Sequence, residues 1–187
     1  MLTFDFKKIN LPPGSKVLDV GCGEGRHIFG ILHEFEDVHC YGLDQDIPSL
    51  EKCKEGLEFF KELDSKETIF QQGSVYQLPY EDNFFDLIIC SEVLEHLEDY
   101  HAALKEIYRV LKPAGKFLPS VPSYWPEKIC WLLSKDYQNM PGGHVRIFKK
   151  NQVIDEISSY GFQYDLSQRF HGLHSGYWWL RCMFWKN

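Results

Sequence analysis

The stretch that decides the fold is KVLDVGCGEGRH, residues 16 to 27. An apolar run broken only by Asp19 leads straight into Gly21, Gly23 and Gly25, glycines at alternate positions. A strand that turns sharply into a helix needs residues free to take positive φ. It also needs room for the backbone to approach a ligand, and glycine supplies both. The N–H groups at the start of the following helix then face whatever lies over the strand end. In open α/β sheets that crevice is the usual ligand site.

Spacing narrows the ligand. The dinucleotide fingerprint GxGxxG would put its third glycine where this chain has Arg26, which disfavours an NAD-type oxidoreductase. A phosphate-binding P-loop would need G-K-S/T after four spacers, and none is present. A bare strand-to-helix turn has no use for the acid at Asp19. A second acid, Asp44 in YGLDQD, ends the second apolar run. Placed beside the first loop, its carboxylate can accept from both hydroxyls of a ribose. Its competing duty is to cap a helix starting near Pro48. The two acids with the glycine loop predict a nucleoside site without a pyrophosphate cradle.

Five apolar runs read as strands: 15–20, 38–43, 68–73, 84–90 and 115–121. Between them, Leu50, Cys53, Leu57 and Phe60 recur at helical spacing, as do Ala103, Leu104, Ile107, Tyr108 and Leu111 after Asp99, a candidate N-cap. Strands alternating with helices predict an α/β fold with a mainly parallel sheet and helices on both faces. Further on, Val153, Ile154, Ile157 and Tyr160 predict a helix and FQYDLSQRF a strand. The aromatic run SGYWWLRCMFWKN predicts a last strand or helix in the core, with Trp178, Trp179, Phe184 and Trp185, or else contact with a membrane-borne substrate. A chain ending on so aromatic a run also predicts a continuation that covers it.

Composition sets the limits. The chain has 187 residues, 44% hydrophobic and 25% charged, and no apolar stretch long enough to cross a bilayer. The expectation is one domain spanning residues 1–187, cytoplasmic, with no signal peptide and no stable membrane insertion. The net charge of −7, with scattered basic residues, argues against a nucleic-acid partner. The six cysteines form no C-x-x-C pair and read as reduced core residues rather than zinc ligands.

In this order, VLDVGCGEG, YGLDQD, GSVYQLPYEDNFFDLIICSEVLEHL, LKEIYRVLKPAGKFLPSVP and HVRIFKKNQVIDEISSYGF resemble the class I S-adenosylmethionine-dependent methyltransferases, from about residue 15 to about residue 165. The resemblance implies a Rossmann-like sheet of about seven strands, the last one antiparallel, and S-adenosyl-L-methionine as cofactor. It implies that Gly21, Cys22 and Gly23 pack against the methionine portion, with Asp19 on its amino group directly or through water. Asp44 would hold the ribose, Gln45 would lie beside the adenine, and Ser74 and Val75 would flank its other side. Ser74 stands where the family often has Asp. Cys90 and Ser91 would sit near the transferred methyl. The D/N-P-P-Y motif of relatives that methylate bases and protein amides is absent, CSEV standing in its place.

Methyl transfer to a hydroxyl needs a base. If Glu92 to Leu97 form a helical turn, Glu92, Glu95 and His96 project to one side. Three readings stay open. The stretch is a packing and capping element; or His96 or Glu95 is the base; or Glu92, Glu95 and His96, with His144, hold a divalent cation. The last resembles quinone-biosynthesis O-methyltransferases and small-RNA 2′-O-methyltransferases.

Residues around 122–145 are where the family builds a lid over the acceptor. Tyr124, Trp125, Trp131, Leu132 and Tyr137 would line an apolar or aromatic pocket there, or simply cover the sheet edge. His171 and His174 would face it or be structural. The expected function is methyl transfer to a small-molecule acceptor, on oxygen. The alternative is a non-catalytic S-adenosylmethionine-binding subunit that scaffolds or regulates a partner.

Overall fold

β1 (Ser15–Val20) is the axis of the sheet. It pairs in parallel with β2 (Val38–Asp44) on one side and β4 (Phe85–Ser91) on the other, and β2 pairs in parallel with β3 (Thr68–Gln72). β5 (Leu111–Ser120) follows β4, giving the order β3-β2-β1-β4-β5. The computed structural model describes residues 2–59, 67–167 and 174–183. The strand order runs outward in both directions from β1, so the sheet's switch point lies at the carboxyl ends of β1 and β4.

The apolar runs explain the layering. Val17 and Leu18, and likewise Leu87, Ile88 and Ile89, are all fully buried although consecutive strand residues point to opposite faces. Both faces of the sheet are therefore covered, as near-continuous apolar strands require. The covering helices include α1 (Arg26–Glu34), which buries Ile28, Ile31 and Leu32, and α3 (Tyr100–Val110), which buries Ala103, Leu104 and Ile107. α2 (Ile47–Phe59) buries Leu50 and Cys53.

The chain divides into two compact units, the first Met1–Ser91 with His101–Pro119, the second Glu92–Tyr100 with Ser120–Asn187. The second contains α4 (Tyr124–Leu133), α5 (Lys135–Gln138), α6 (Lys150–Ser159) and α7 (His174–Met183).

Several expectations change. The described residues hold five strands, not about seven. Residues 162–167 of the expected sixth strand form no strand, and the rest of it lies outside the described residues. Tyr108 is 49% exposed rather than part of the buried stripe of α3. Leu111 opens β5 instead of closing α3, because Pro113 cannot continue a helix and Ala114 takes a left-handed φ of 65°. The aromatic tail gives α7, in which Trp178 and Trp179 are half-buried rather than core. Phe60, His171, Phe184 and Trp185 lie outside the described residues. All six cysteines are free and buried, as expected. No helix among the described residues is long and apolar enough to cross a membrane.

Candidate functional site

The glycine loop takes the conformation that its spacing calls for. Gly21, Gly23 and Gly25 have φ of 69°, 51° and 79°, and Gly25 is the N-cap of α1. Left-handed φ at three alternate positions is strained for any side chain with a Cβ. The loop is held to the second strand by Gly21 N–H and Cys22 N–H, which both donate to Leu43 O at 2.7 and 3.1 Å. A Cβ added at Gly23 would meet nothing within 4 Å, so open space lies over the loop's middle.

Asp44 ends β2 half-buried, and its Oδ2 accepts from Gly23 N–H at 2.7 Å while Oδ1 accepts from Asp46 N–H at 2.9 Å. The capping duty falls to Asp46, whose Oδ2 accepts from Ser49 N–H at 3.0 Å and Ser49 Oγ at 2.6 Å at the start of α2. That frees Asp44 from the competing role. Each of its oxygens has a second lone pair for a ribose hydroxyl.

Asp19 is 0% exposed, and neither carboxylate oxygen has a hydrogen-bond donor. Its nearest charge partner is His27 Nδ1, 3.6 Å from Oδ2 and beyond hydrogen-bond reach. Burial pushes its carboxyl above the usual range, with His27 and Arg26 acting in the opposite sense. A buried carboxylate without a donor is costly in isolation and is relieved by a cationic group. These features fit S-adenosylmethionine: an acid for the ammonium, an acceptor for the ribose, and an open glycine loop between them.

The remaining expected cofactor residues are placed as follows. Gln45 is exposed, and its carbonyl accepts from Gln72 Nε2 at 3.1 Å. Ser74 Oγ accepts from Tyr76 N–H at 3.3 Å, which ties it into a turn, and Val75 is buried. Cys22 and Cys90 are buried, and Ser91 Oγ lies 3.3 Å from Arg26 Nη2.

The second unit holds the Glu and His cluster. The expected helical turn closes only over residues 93–96, His96 N–H donating to Val93 O at 2.9 Å, and Glu92, with a left-handed φ of 57°, falls outside it. Glu92 therefore leaves the cluster, and its Oε1 accepts from Ser120 Oγ at 3.1 Å. The single turn is instead fastened by the segment 142–146. Val145 N–H donates to Glu95 O at 2.9 Å, and the Arg146 guanidinium donates to the carbonyls of Leu94, Leu97 and Glu98.

His96 Nδ1 lies 3.0 and 3.1 Å from the carbonyl oxygens of Gly142 and Gly143. Both partners only accept, so Nδ1 carries a hydrogen, and in the neutral imidazole Nε2 holds the lone pair. His144 Nδ1 is 2.7 Å from Glu127 Oε1, and its Nε2 is 4.0 Å from Glu95 Oε1. Glu95 is 0% exposed, with no donor on either oxygen. Burial, then the charge of Glu92, pushes its carboxyl up to about 8. At His144 burial works downward, but the hydrogen bond and charge of Glu127, with the charges of Glu95 and Glu92, outweigh it and raise the imidazole.

Donor atoms of Glu95, His96 and His144 lie within 4.8 Å of one another, and two imidazoles with one carboxylate make a donor set suited to a divalent transition ion. Glu127 and Arg146 had no local sequence signal, because the contacts that give them a role join segments far apart in the chain. Asp46 carries a local mark, the serine three residues on in D-x-x-S at the start of α2, but only its bonds to Ser49 tell it apart from Asp44. Of the expected pocket aromatics, Tyr124, Trp131 and Tyr137 are half-buried, while Trp125 and Leu132 are 71% and 75% exposed. Tyr137 OH donates to Glu127 Oε2 at 3.4 Å.

Comparison with known proteins agrees with the first unit. Residues 18–118 match the family described as methyltransferase domain. The chain is 32% identical over 150 residues to a sterol 24-C-methyltransferase of Schizosaccharomyces pombe, covering 80% of this chain and 36% of that one. It is 37% identical over 111 residues to a demethylmenaquinone methyltransferase of Bacillus mycoides, covering 59% and 46%. The chain thus spans less than half the length of these curated relatives. Among solved structures, the YcgJ protein of Bacillus subtilis superposes with a TM-score of 0.68 at 26% identity, covering 83% of this chain and 64% of that one. Phosphoethanolamine N-methyltransferase 2 of Haemonchus contortus, solved with S-adenosyl-L-methionine, shares the fold with a TM-score of 0.64 at 20% identity, covering 84% and 35%. The glycine loop, the acid on the second strand and the matched residues lead to one conclusion: the chain belongs to the methyltransferase domain family, of the class I, S-adenosylmethionine-dependent kind.

Proposed function

We propose that this protein transfers the methyl group of S-adenosylmethionine to a small-molecule acceptor. The observation that carries the reading is the bond from Gly23 N–H to Asp44 Oδ2 at 2.7 Å, which locks the open glycine loop to the ribose acid. The bound cofactor supplies an activated methyl on a sulfonium and its own leaving group. The chain's residues then have to bind it, align the acceptor and exclude water.

Asp19 would take the ammonium, Asp44 the ribose hydroxyls, and the loop from Gly21 to Gly23 the methionine chain. Gln45, Ser74 and Val75 would border the adenine, and Cys90 and Ser91 the methyl end. In the second unit, His96 is the proposed base, because its protonated Nδ1 is anchored on two carbonyls and leaves Nε2 able to take a proton. Glu95, held protonated up to about pH 8, is a poorer base at neutral pH and serves better as a proton donor. An acceptor oxygen is the atom that needs such a base. The relatives' names point to carbon and nitrogen as well, so the acceptor atom is the part of the proposal that a panel of acceptors must decide.

Calorimetric titration with S-adenosylhomocysteine tests the cofactor reading. Wild type binds with micromolar order affinity, Asp44→Ala loses at least about tenfold, and NAD gives no response. Absence of binding to wild type rejects the reading. For the base, His96→Ala lowers kcat by about 10²–10⁴-fold with an unchanged affinity for S-adenosylhomocysteine. Unchanged kcat removes His96 from the mechanism.

A further inference from the structure

We propose that the paired helices α4 and α7 dock on an anionic membrane surface. A surface helix of a soluble domain keeps its outer side polar. α6, in the same unit, does so: its exposed residues are Lys150, Asn151, Gln152, Asp155, Ser158 and Ser159. α4 and α7 do not. In α4, Glu127 and Cys130 are buried three residues apart, and the buried Ser134 closes that side. Trp125 and Leu132, seven residues apart, lie on the opposite side at 71% and 75% exposure, with Leu133 exposed beside them. In α7, Cys182 is buried and Trp178 and Trp179 are half-buried, whereas Tyr177, Leu180 and Met183 are each more than half exposed. The helices are fastened by their inner sides. Trp179 Nε1 donates to Pro126 O at 3.1 Å, and the Cys130 and Cys182 thiols are hydrogen-bonded to each other. That packing leaves the outer apolar side chains of both helices in water, the mark of an interaction surface.

Charge selects the occupant. The charged residues of α4 are Glu127 and Lys128, and the acid is buried with its Oε1 2.7 Å from His144 Nδ1, so the outer side keeps the cation. In α7 the charged residue is Arg181, exposed, with its guanidinium 5.0 Å from the Trp178 ring. Lys149 lies 5.5 Å from the Tyr124 ring at the start of α4, and Lys135 is exposed just past its end, next to the exposed acid Asp136. The sequence carries the same bias: residues 120–187 hold eight basic against five acidic side chains, residues 1–119 twelve against twenty-two. Cations set among Trp, Tyr and Leu match a layer of phosphates above hydrocarbon. Each helix has ten residues, about half of what a bilayer needs, so the pair lies on the membrane and does not cross it.

Flotation with phosphatidylcholine vesicles, plain or holding about one-third phosphatidylglycerol, tests this. Wild type co-floats with the anionic vesicles and binds the plain ones at least about tenfold more weakly. Tyr177→Ser combined with Leu180→Ser, and separately Trp125→Ser, lose at least about tenfold on anionic vesicles. Lys128→Glu loses about 5- to 30-fold there. Phosphatidylglycerol with brominated chains quenches the tryptophan fluorescence of the wild type, a readout that needs no variant. The double α7 variant keeps its affinity for S-adenosylhomocysteine, so its loss on vesicles is independent of the cofactor reading. A wild type that neither co-floats nor is quenched, equal binding to both vesicles, or a double variant that binds as the wild type does overturns the proposal. So does a wild type that self-associates in sedimentation and stays off vesicles, which assigns these outer sides to a second copy of the chain.

Discussion

Each of the two units buries one carboxylate completely and leaves it without a donor: Asp19 in the first, Glu95 in the second. Each also places a histidine just beyond bonding distance, His27 at 3.6 Å and His144 at 4.0 Å. The settings differ. Asp19 sits in β1, the central strand, hydrogen-bonded on both edges, and its position is set by the sheet register opposite Gly42 and Ile89. Glu95 sits in a single turn that exists because the segment 142–146 fastens it. The first acid is positioned by regular secondary structure and the second by side-chain clamps. An acid on a strand end is rigid at the cost of being fixed in one place; an acid on a clamped turn depends on residues some fifty positions away.

Core deletions expose the difference most strongly. Ile88→Ala in β4, fully buried, should cost about 2–5 kcal/mol by urea unfolding. Ile154→Ala in α6, a helix without buried residues, should cost about 1 kcal/mol or less. Equal costs would show that the second unit is as densely packed as the first.

The pH dependence of stability isolates Glu95. Its folded value of about 8 stands above its ordinary value of 4.5, so the folded protein holds a proton that the unfolded chain releases between those pH values. Stability therefore falls as pH rises through that window, and the contribution is complete below it. His144, also raised, acts in the same direction, its share being lost as pH rises through its folded value. Glu95→Gln should flatten the loss between pH 5 and 8 by roughly 1–3 kcal/mol, read from melts at both pH values. An unchanged slope would mean that Glu95 is solvated in solution. Asp19→Asn tests the first unit in the same way, since burial raises that carboxyl too.

Smaller effects sharpen the same contrast. Asp46→Ala removes the cap of α2 and should cost about 1 kcal/mol in thermal unfolding. In the second unit, Ser134→Ala removes an acceptor for Tyr137 N–H at 3.1 Å and opens only a four-residue helix. It should cost less than the Asp46 change in the same melt, and an equal or larger loss would count against the contrast.

Much of the first unit was legible because its determinants are local. Apolar runs gave four of the strands within a residue at each end, and glycines with φ of 51–79° appear where a sharp turn needs them. The β5 boundary was missed at Leu111, where a helix and a strand meet without a spacer and only Pro113 marks the change. Asp44 could be proposed for the ribose but not separated from helix capping, since that choice depends on which of two acids, Asp44 or Asp46, meets Ser49.

The second unit was read less well. EVLEH satisfies helical spacing, yet the left-handed Glu92 breaks it, and a left-handed non-glycine residue has no reliable sequence mark. By itself the sequence determined the family, the parallel sheet and the glycine loop, because these follow from periodicity and from residues adjacent in the chain. Only the tertiary structure decided the tautomer of His96, the pairing of Glu127 with His144 and the reach of Arg26 to Ser91. Each depends on a contact between segments distant in sequence, and folding alone brings those atoms within bonding distance.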